Sequence, residues 1–205
     1  MLPLLLAVLA PQQVVVDPGP RDRFHVPVRV ALPPDAPTRE AVLVDAQGGR
    51  VPAQVVAEGD VRVLVAVVPS LKAGTPSTFK LAWESPGAGA FRWHDTKGEH
   101  LELRHGERPV LRYMYAPLDE SSKEARERTY KPFHHVFDPA GTRLLTKGAG
   151  GQYTHHRGIY YGFNKVTYGD GRKADVWHCG GQAHQLHEAV LQTDEGPVLG
   201  RHRVA

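Results

Sequence analysis

One cysteine, Cys179, in 205 residues leaves no intramolecular disulfide framework and no multi-cysteine zinc module. The 25 basic and 22 acidic residues are interspersed, and there is no Lys/Arg block of the kind that tracks a phosphate backbone. Nucleic acid is therefore not an expected partner. No apolar run is long enough to span a bilayer, so no transmembrane segment is expected. With 21 Gly and 17 Pro but no G-X-Y period, the composition excludes collagen and argues against long helices. What remains is a β-dominated chain, and the residue present in excess is histidine, with 12.

Residues 1–10, MLPLLLAVLA, have the length and small-residue ending of a secretory h-region, although the usual basic n-region is missing. Residues 1–18 are read as a signal peptide or N-terminal tail, which implies a periplasmic or secreted protein. The competing reading is a buried strand continuing through Val14-Val15-Val16.

Residues 19–84 alternate apolar and polar positions in short Val-rich runs such as His25-Val26-Pro27-Val28-Arg29-Val30 and Val61-Arg62-Val63-Leu64-Val65-Ala66-Val67. Period 2 with β-branched residues predicts strands that bury one face, separated by Gly/Pro/Asp turns. Five or six such strands predict a small sandwich of immunoglobulin-like size with an accessory role. Ser85-Pro86-Gly87-Ala88-Gly89-Ala90 reads as a linker, and residues 91–205 as a second region. There, Glu102-Leu103-Arg104 and residues 110–115 look like strands, and the charged stretch 119–128 reads as a surface loop or short solvated helix.

Seven of the 12 histidines fall between His134 and His187. They arrive on a strand (Phe133-His134-His135-Val136), on a glycine-rich loop (Gly148 to Gly158, carrying His155-His156-Arg157) and in the stretch Asp175 to Glu188, which opens Asp175-Val176-Trp177-His178-Cys179 and also carries His184 and His187. Imidazole offers a donor, an acceptor, a metal ligand or a proton carrier near neutral pH, while Arg157 and Lys165 add fixed positive charge. Tyr153, Tyr160, Tyr161, Phe163 and Trp177 add flat faces for a sugar ring. His156 and His178 are the candidate acid/base groups, with Arg157 holding an oxyanion or carboxylate. His135, Tyr153, His155, Arg157, Asn164, Lys165 and Trp177 are the candidate ligand contacts. No cofactor is required by any motif; zinc or copper on His155, His156 and His178 is the metal alternative. On a strand, neighbouring His178 and Cys179 would point apart, which argues against a thiol nucleophile.

The run Lys131-Pro132-Phe133-x-His135, then Gly150-Gly151-x-Tyr153-Thr154-His155-His156-Arg157-Gly158-Ile159-x-x-Gly162-x-Asn164-Lys165, then Asp175-x-Trp177-His178-Cys179, resembles the bacterial PmoA-like family. Family members often carry Asp-His-Pro where this chain has Gln152-Tyr153-Thr154. The membrane methane monooxygenase subunit that shares the label is built from transmembrane helices, so methane oxidation is not expected. The resemblance implies instead an exported protein in a carbohydrate context. A shorter similarity, His156-Arg157-Gly158-x-x-x-Gly162-Phe163-Asn164-Lys165, is to the aldose 1-epimerases, whose fold is a large antiparallel supersandwich with a sugar cleft. The C-terminal general-base Glu of those enzymes would fall beyond residue 205.

The expected fold is thus all-β: the small immunoglobulin-like sandwich followed by part of a larger antiparallel β-supersandwich, truncated or completed by a partner chain. The expected function is acid/base chemistry on a sugar or uronate as a small-molecule ligand. The rivals are a non-catalytic carbohydrate-binding or scaffold protein and a His-ligated metal protein.

Overall fold

The computed structural model describes residues 13–87 and 89–205. The apolar run 1–10 lies outside the described residues. The described residues form an all-β fold with one short helix, and the chain divides into two compact units: residues up to Ala90 with Gly196–Leu199, and Phe91–Glu195 with Gly200–Ala205.

The first unit has six strands: β1 (Gln13–Val16), β2 (Arg23–Leu32), β3 (Glu40–Val44), β4 (Arg50–Glu58), β5 (Val61–Leu71) and β6 (Ser77–Ala82). Residues 13–16, grouped with the N-terminal tail in the sequence reading, form β1. All six strands belong to one antiparallel sheet in the order β1-β6-β3-β4-β5-β2. Both edge strands contribute to the same core, Val14 from β1 and Leu32 from β2, beside Leu43, Val55, Leu64 and Phe79. The expected small sandwich is therefore a curled, nearly closed sheet around one apolar centre.

Strand β5 explains its own unbroken apolar run. Leu64, Ala66 and Val68 face the curled core, while Val63 and Val65 face outward with Val56 against Val198 and Leu199. A central strand buried on both faces needs apolar residues at both parities. Gln54, alone among valines and alanines on β4, accepts the backbone N–H groups of Val198 (3.4 Å) and Leu199 (3.1 Å). That pairing seats the segment 196–199, because buried backbone donors need partners. A Cβ at Gly196 would stand 2.3 Å from the Gln54 side chain, so the approach requires glycine.

The second unit begins with a meander, β7 (Phe91–Thr96), β8 (His100–His105) and β9 (Arg108–Met114), and then helix α1 (Lys123–Thr129). Strand β10 (Phe133–Val136) completes a four-stranded sheet in the order β10-β9-β8-β7. Two hairpins follow: β11 (Val166–Tyr168) with β12 (Arg172–Ala174), and β13 (Val190–Asp194) with β14 (Arg201–Val204). The Ser122 hydroxyl caps α1 by accepting from the Ala125 N–H at 3.0 Å. The charged window 119–128 thus includes most of a helix with no buried residue.

One face of the four-stranded sheet carries Leu101, Leu103, Tyr113 and His134, and the other carries Glu102, Arg112 and His135, as the cross-strand register requires. Glu102 is buried, and burial alone would push its carboxyl pKa up. Hydrogen bonds from Arg104 (2.7 Å) and Arg112 (2.5 Å) win and hold it below the usual range. No helix among the described residues is long and apolar enough to cross a membrane.

Candidate functional site

Most of the chain between β10 and β13 has no regular secondary structure, so its backbone groups need other partners. Cationic side chains supply many of them. The Lys147 ammonium donates to the carbonyls of Gly150, Tyr153 (2.8 Å) and His156 (3.0 Å), drawing the glycine-rich loop around one point. Arg126, from α1, donates to the carbonyls of Cys179 (3.1 Å), Gly181 (2.8 Å) and Ala183 (3.2 Å). Lys131 donates to the Trp177 carbonyl at 2.5 Å.

Arg157, only 2% exposed, is the most deeply committed of these groups. Its guanidinium donates to the carbonyls of Thr154 (2.7 Å), Arg128 (3.2 Å) and Glu127 (2.5 Å) and lies 4.3 Å over the Tyr130 ring. Arg157, expected to hold a ligand oxyanion, directs its hydrogen bonds to these carbonyls. It joins the last turn of α1 to the His155-His156 loop, and its planar fork is spent on carbonyl oxygens.

Those anchors bring two distant segments together. The His155 ring lies 4.2 Å from His156 and 4.6 Å from His178, centroid to centroid. Tyr153 flanks His156 at 5.3 Å, and Trp177 stands 6.2 Å from His156 on the other side. An open hollow of about 420 Å³ is walled by Thr146, Lys147, His156, Gly158, Tyr160 and Trp177, with Arg157 behind.

Asp175 organises the second segment. Its Oδ1 accepts the backbone N–H groups of Trp177 (3.0 Å) and His178 (2.8 Å), while its Oδ2 lies 2.7 Å from the His178 Nδ1. The backbone bond from His178 is the main reason the Asp175 carboxyl sits below the usual carboxylate range. An ionised carboxylate only accepts, so His178 carries its proton on Nδ1 and offers Nε2 as a base. Burial, reinforced by the His156, His178 and Lys131 charges, pushes the His155 pKa down and favours its neutral form. Burial likewise lowers the Lys131 ammonium to about 8, with Arg157 pushing the same way against Cys179 and Asp175. Lys131 is 1% exposed, and its ammonium lies 3.7 Å from the Tyr160 ring centroid. The Cys179 thiol is buried and its pKa raised, which keeps it a neutral packing group rather than a nucleophile.

His135 belongs to a different place. Its Nδ1 lies 3.1 Å from the Thr146 hydroxyl, and it lines a hollow of about 210 Å³ with Lys131, Phe133 and Met114. Burial, then Arg112, lowers its pKa. Asn164 and Lys165 lie exposed in the turn before β11, Lys165 at φ +54°, and neither joins the ring contacts of the imidazole group. Among the described residues no group of three or more His, Cys, Asp or Glu side chains is disposed to hold a metal ion.

Sequence reasoning passed over Asp175, Lys131 and Lys147 as site residues. The Asp-x-x-His spacing of 175 and 178 was the available signal for the first. The other two act through backbone carbonyls, which leave no pattern in a sequence.

A second histidine group lies on the sheet face under β13–β14. His202 stacks on Trp93 at 4.6 Å, its Nε2 lies 2.9 Å from that of His134, and the Tyr113 hydroxyl lies 3.3 Å from His187 Nδ1. Burial, with the His134 and His187 charges, pushes the His202 pKa down to about 4.

Fold and site together define an all-β protein of two units whose second unit presents an imidazole group on loops pinned by cations. Residues 100–205 match the DUF6807 family of unknown function, and the chain belongs to that family. No curated protein and no solved structure matches it.

Proposed function

We propose that this chain is an exported carbohydrate-active protein in which His178 moves a proton to or from a sugar. The observation that carries the reading is the Asp175–His178 pair at 2.7 Å, set beside His155 and His156. Asp175 fixes the tautomer and orientation of His178 and stabilises the imidazolium that forms when Nε2 takes a proton. Tyr153 and Trp177 supply the flat faces that a pyranose ring stacks against. The similarity of the His156 to Lys165 stretch to the aldose 1-epimerases, and of the wider motif to PmoA-like proteins, supports the same chemical setting.

Turnover of a panel of sugars and uronates is the test. His178→Ala should lower the rate by roughly 10²–10⁴-fold, and Asp175→Asn should also lower it, with the melting temperature held in both. Unchanged turnover in both variants ends the proposal. The second reading is a binding module without catalysis, favoured by the exposed Tyr161 (79%) and Phe163 (54%). Sugar binding without turnover of any panel member would select it.

A further inference from the structure

We infer that the site prefers anionic sugars, uronates or sugar acids, to their neutral parents, because cations without carboxylate partners shape both of its loops. The inference rests on the sugar reading above and names the substrate class of that same site.

The charged groups around the imidazoles are unequal in sign. Lys131, Lys147 and Arg157 all donate to backbone carbonyls of the two loops, and none forms an ion pair with an acidic side chain among the described residues. Arg126 differs, since Glu120 lies 3.4 Å from its Nε. Against the three uncompensated cations stands one carboxylate, Asp175, whose oxygens are occupied by His178 and two backbone N–H groups. The buried Cys179 thiol and Tyr160 phenol both have raised pKa values and add no negative charge at neutral pH.

A carbonyl satisfies an ammonium's hydrogen bonds without cancelling its charge. Lys131 and Arg157 are almost wholly buried without a carboxylate partner, and the hollow walled by Tyr160, Trp177 and His156 is open, so a ligand there meets their field partly through solvent that salt can screen. The Lys131 charge already reaches His155, where it disfavours a second positive charge. A ligand carboxylate would meet the opposite effect.

The experiment is calorimetric titration of the full chain with matched pairs: glucuronate against glucose, galacturonate against galactose, gluconate against glucitol. Each acid should bind at least tenfold tighter than its neutral partner at 20 mM NaCl, and the advantage should shrink several-fold at 300 mM. Lys131→Met removes the buried charge together with its bond to the Trp177 carbonyl, and should bring the affinity of each acid down to within about threefold of its neutral partner's. If that variant fails to fold, the salt series on the unmodified protein still decides the matter. Equal binding of acid and neutral partner, or a preference that salt does not touch, overturns the inference and leaves the sugar reading standing. Binding of neither class overturns the sugar reading, and the inference with it.

Discussion

Two groups of three histidines in the second unit handle the same side chain in opposite ways. His155, His156 and His178 stand on loops, with His178 aimed by a carboxylate. His134, His187 and His202 lie among Trp93, Tyr113 and Tyr115, where the His202 Nε2 meets another imidazole, that of His134. In the first group a fixed carboxylate stands against an imidazole nitrogen. In the second, protonating both His134 and His202 would set two positive charges about 3 Å apart among rings. Surroundings, not residue type or position in the motif, decide whether an imidazole stands against a carboxylate or is packed among rings.

Gly158 joins the two groups, and altering it should have the largest effect. Its N–H donates to the Lys147 carbonyl at 2.8 Å, in the loop that carries His155 and His156. A Cβ there would stand 2.1 Å from the carbonyl oxygen of His134, and the φ of +36° disfavours any side chain. Gly158→Ala should cost about 4 kcal/mol, read as a lower urea midpoint, because neither the strand backbone nor the loop can retreat. A variant as stable as the parent would show that loop and strand are not joined in this way.

Acid should act next most strongly, and through the covered group. The folded-state pKa of His202 lies near 4, below the ordinary 6.5 it regains on unfolding. The unfolded chain therefore binds the proton more readily, so this stability is fully present above pH 6.5 and is lost as pH falls toward 4. The loss should reach about 3 kcal/mol in urea melts taken across that window. His202→Phe keeps a ring against Trp93 and Tyr113 and should flatten the dependence. His178→Ala, on the open group, should leave both midpoint and slope within about 0.5 kcal/mol of the parent. If His178→Ala flattens the curve instead, the roles of the two groups are reversed.

The strands of the first unit were legible because period 2 and valine enrichment report a local rule. The two-sided burial of β5 departs from the one-face reading, because Val63-Leu64-Val65-Ala66 carries apolar residues at both parities. The attachment of Gly196–Leu199 to that unit was not legible, since four residues carry no period; its trace was Gln54, a lone amide among buried valines. In the candidate site, the meeting of His155, His156 and His178 was anticipated from clustering and a resemblance. The carbonyl bonds of Arg157 were not legible: charge in a motif suggests a ligand, yet a loop-rich region also has carbonyls to satisfy, and this buried guanidinium donates to three of them. His202 lay outside the motif altogether and reached His134 only through the β13–β14 hairpin.

Tyr160 offers the smallest and sharpest test of where the open group ends and packing begins. Its ring carries the Lys131 ammonium on one face and touches Trp177 at 5.3 Å, but its hydroxyl is buried with no hydrogen-bond partner among the described residues. A buried hydroxyl without a partner forfeits its hydration for nothing, so Tyr160→Phe should stabilise the protein by about 1 kcal/mol. Phe retains the ring under Lys131 and the contact with Trp177, so only the hydroxyl is under test. The corresponding rise in melting temperature is about 2–4 °C for a chain of this size, measurable by calorimetry. If the gain appears and sugar binding is unchanged, Tyr160 belongs with the packing residues, as His202 does. If sugar affinity falls instead, the hydroxyl finds its partner in the ligand, and the wall of the hollow moves with it.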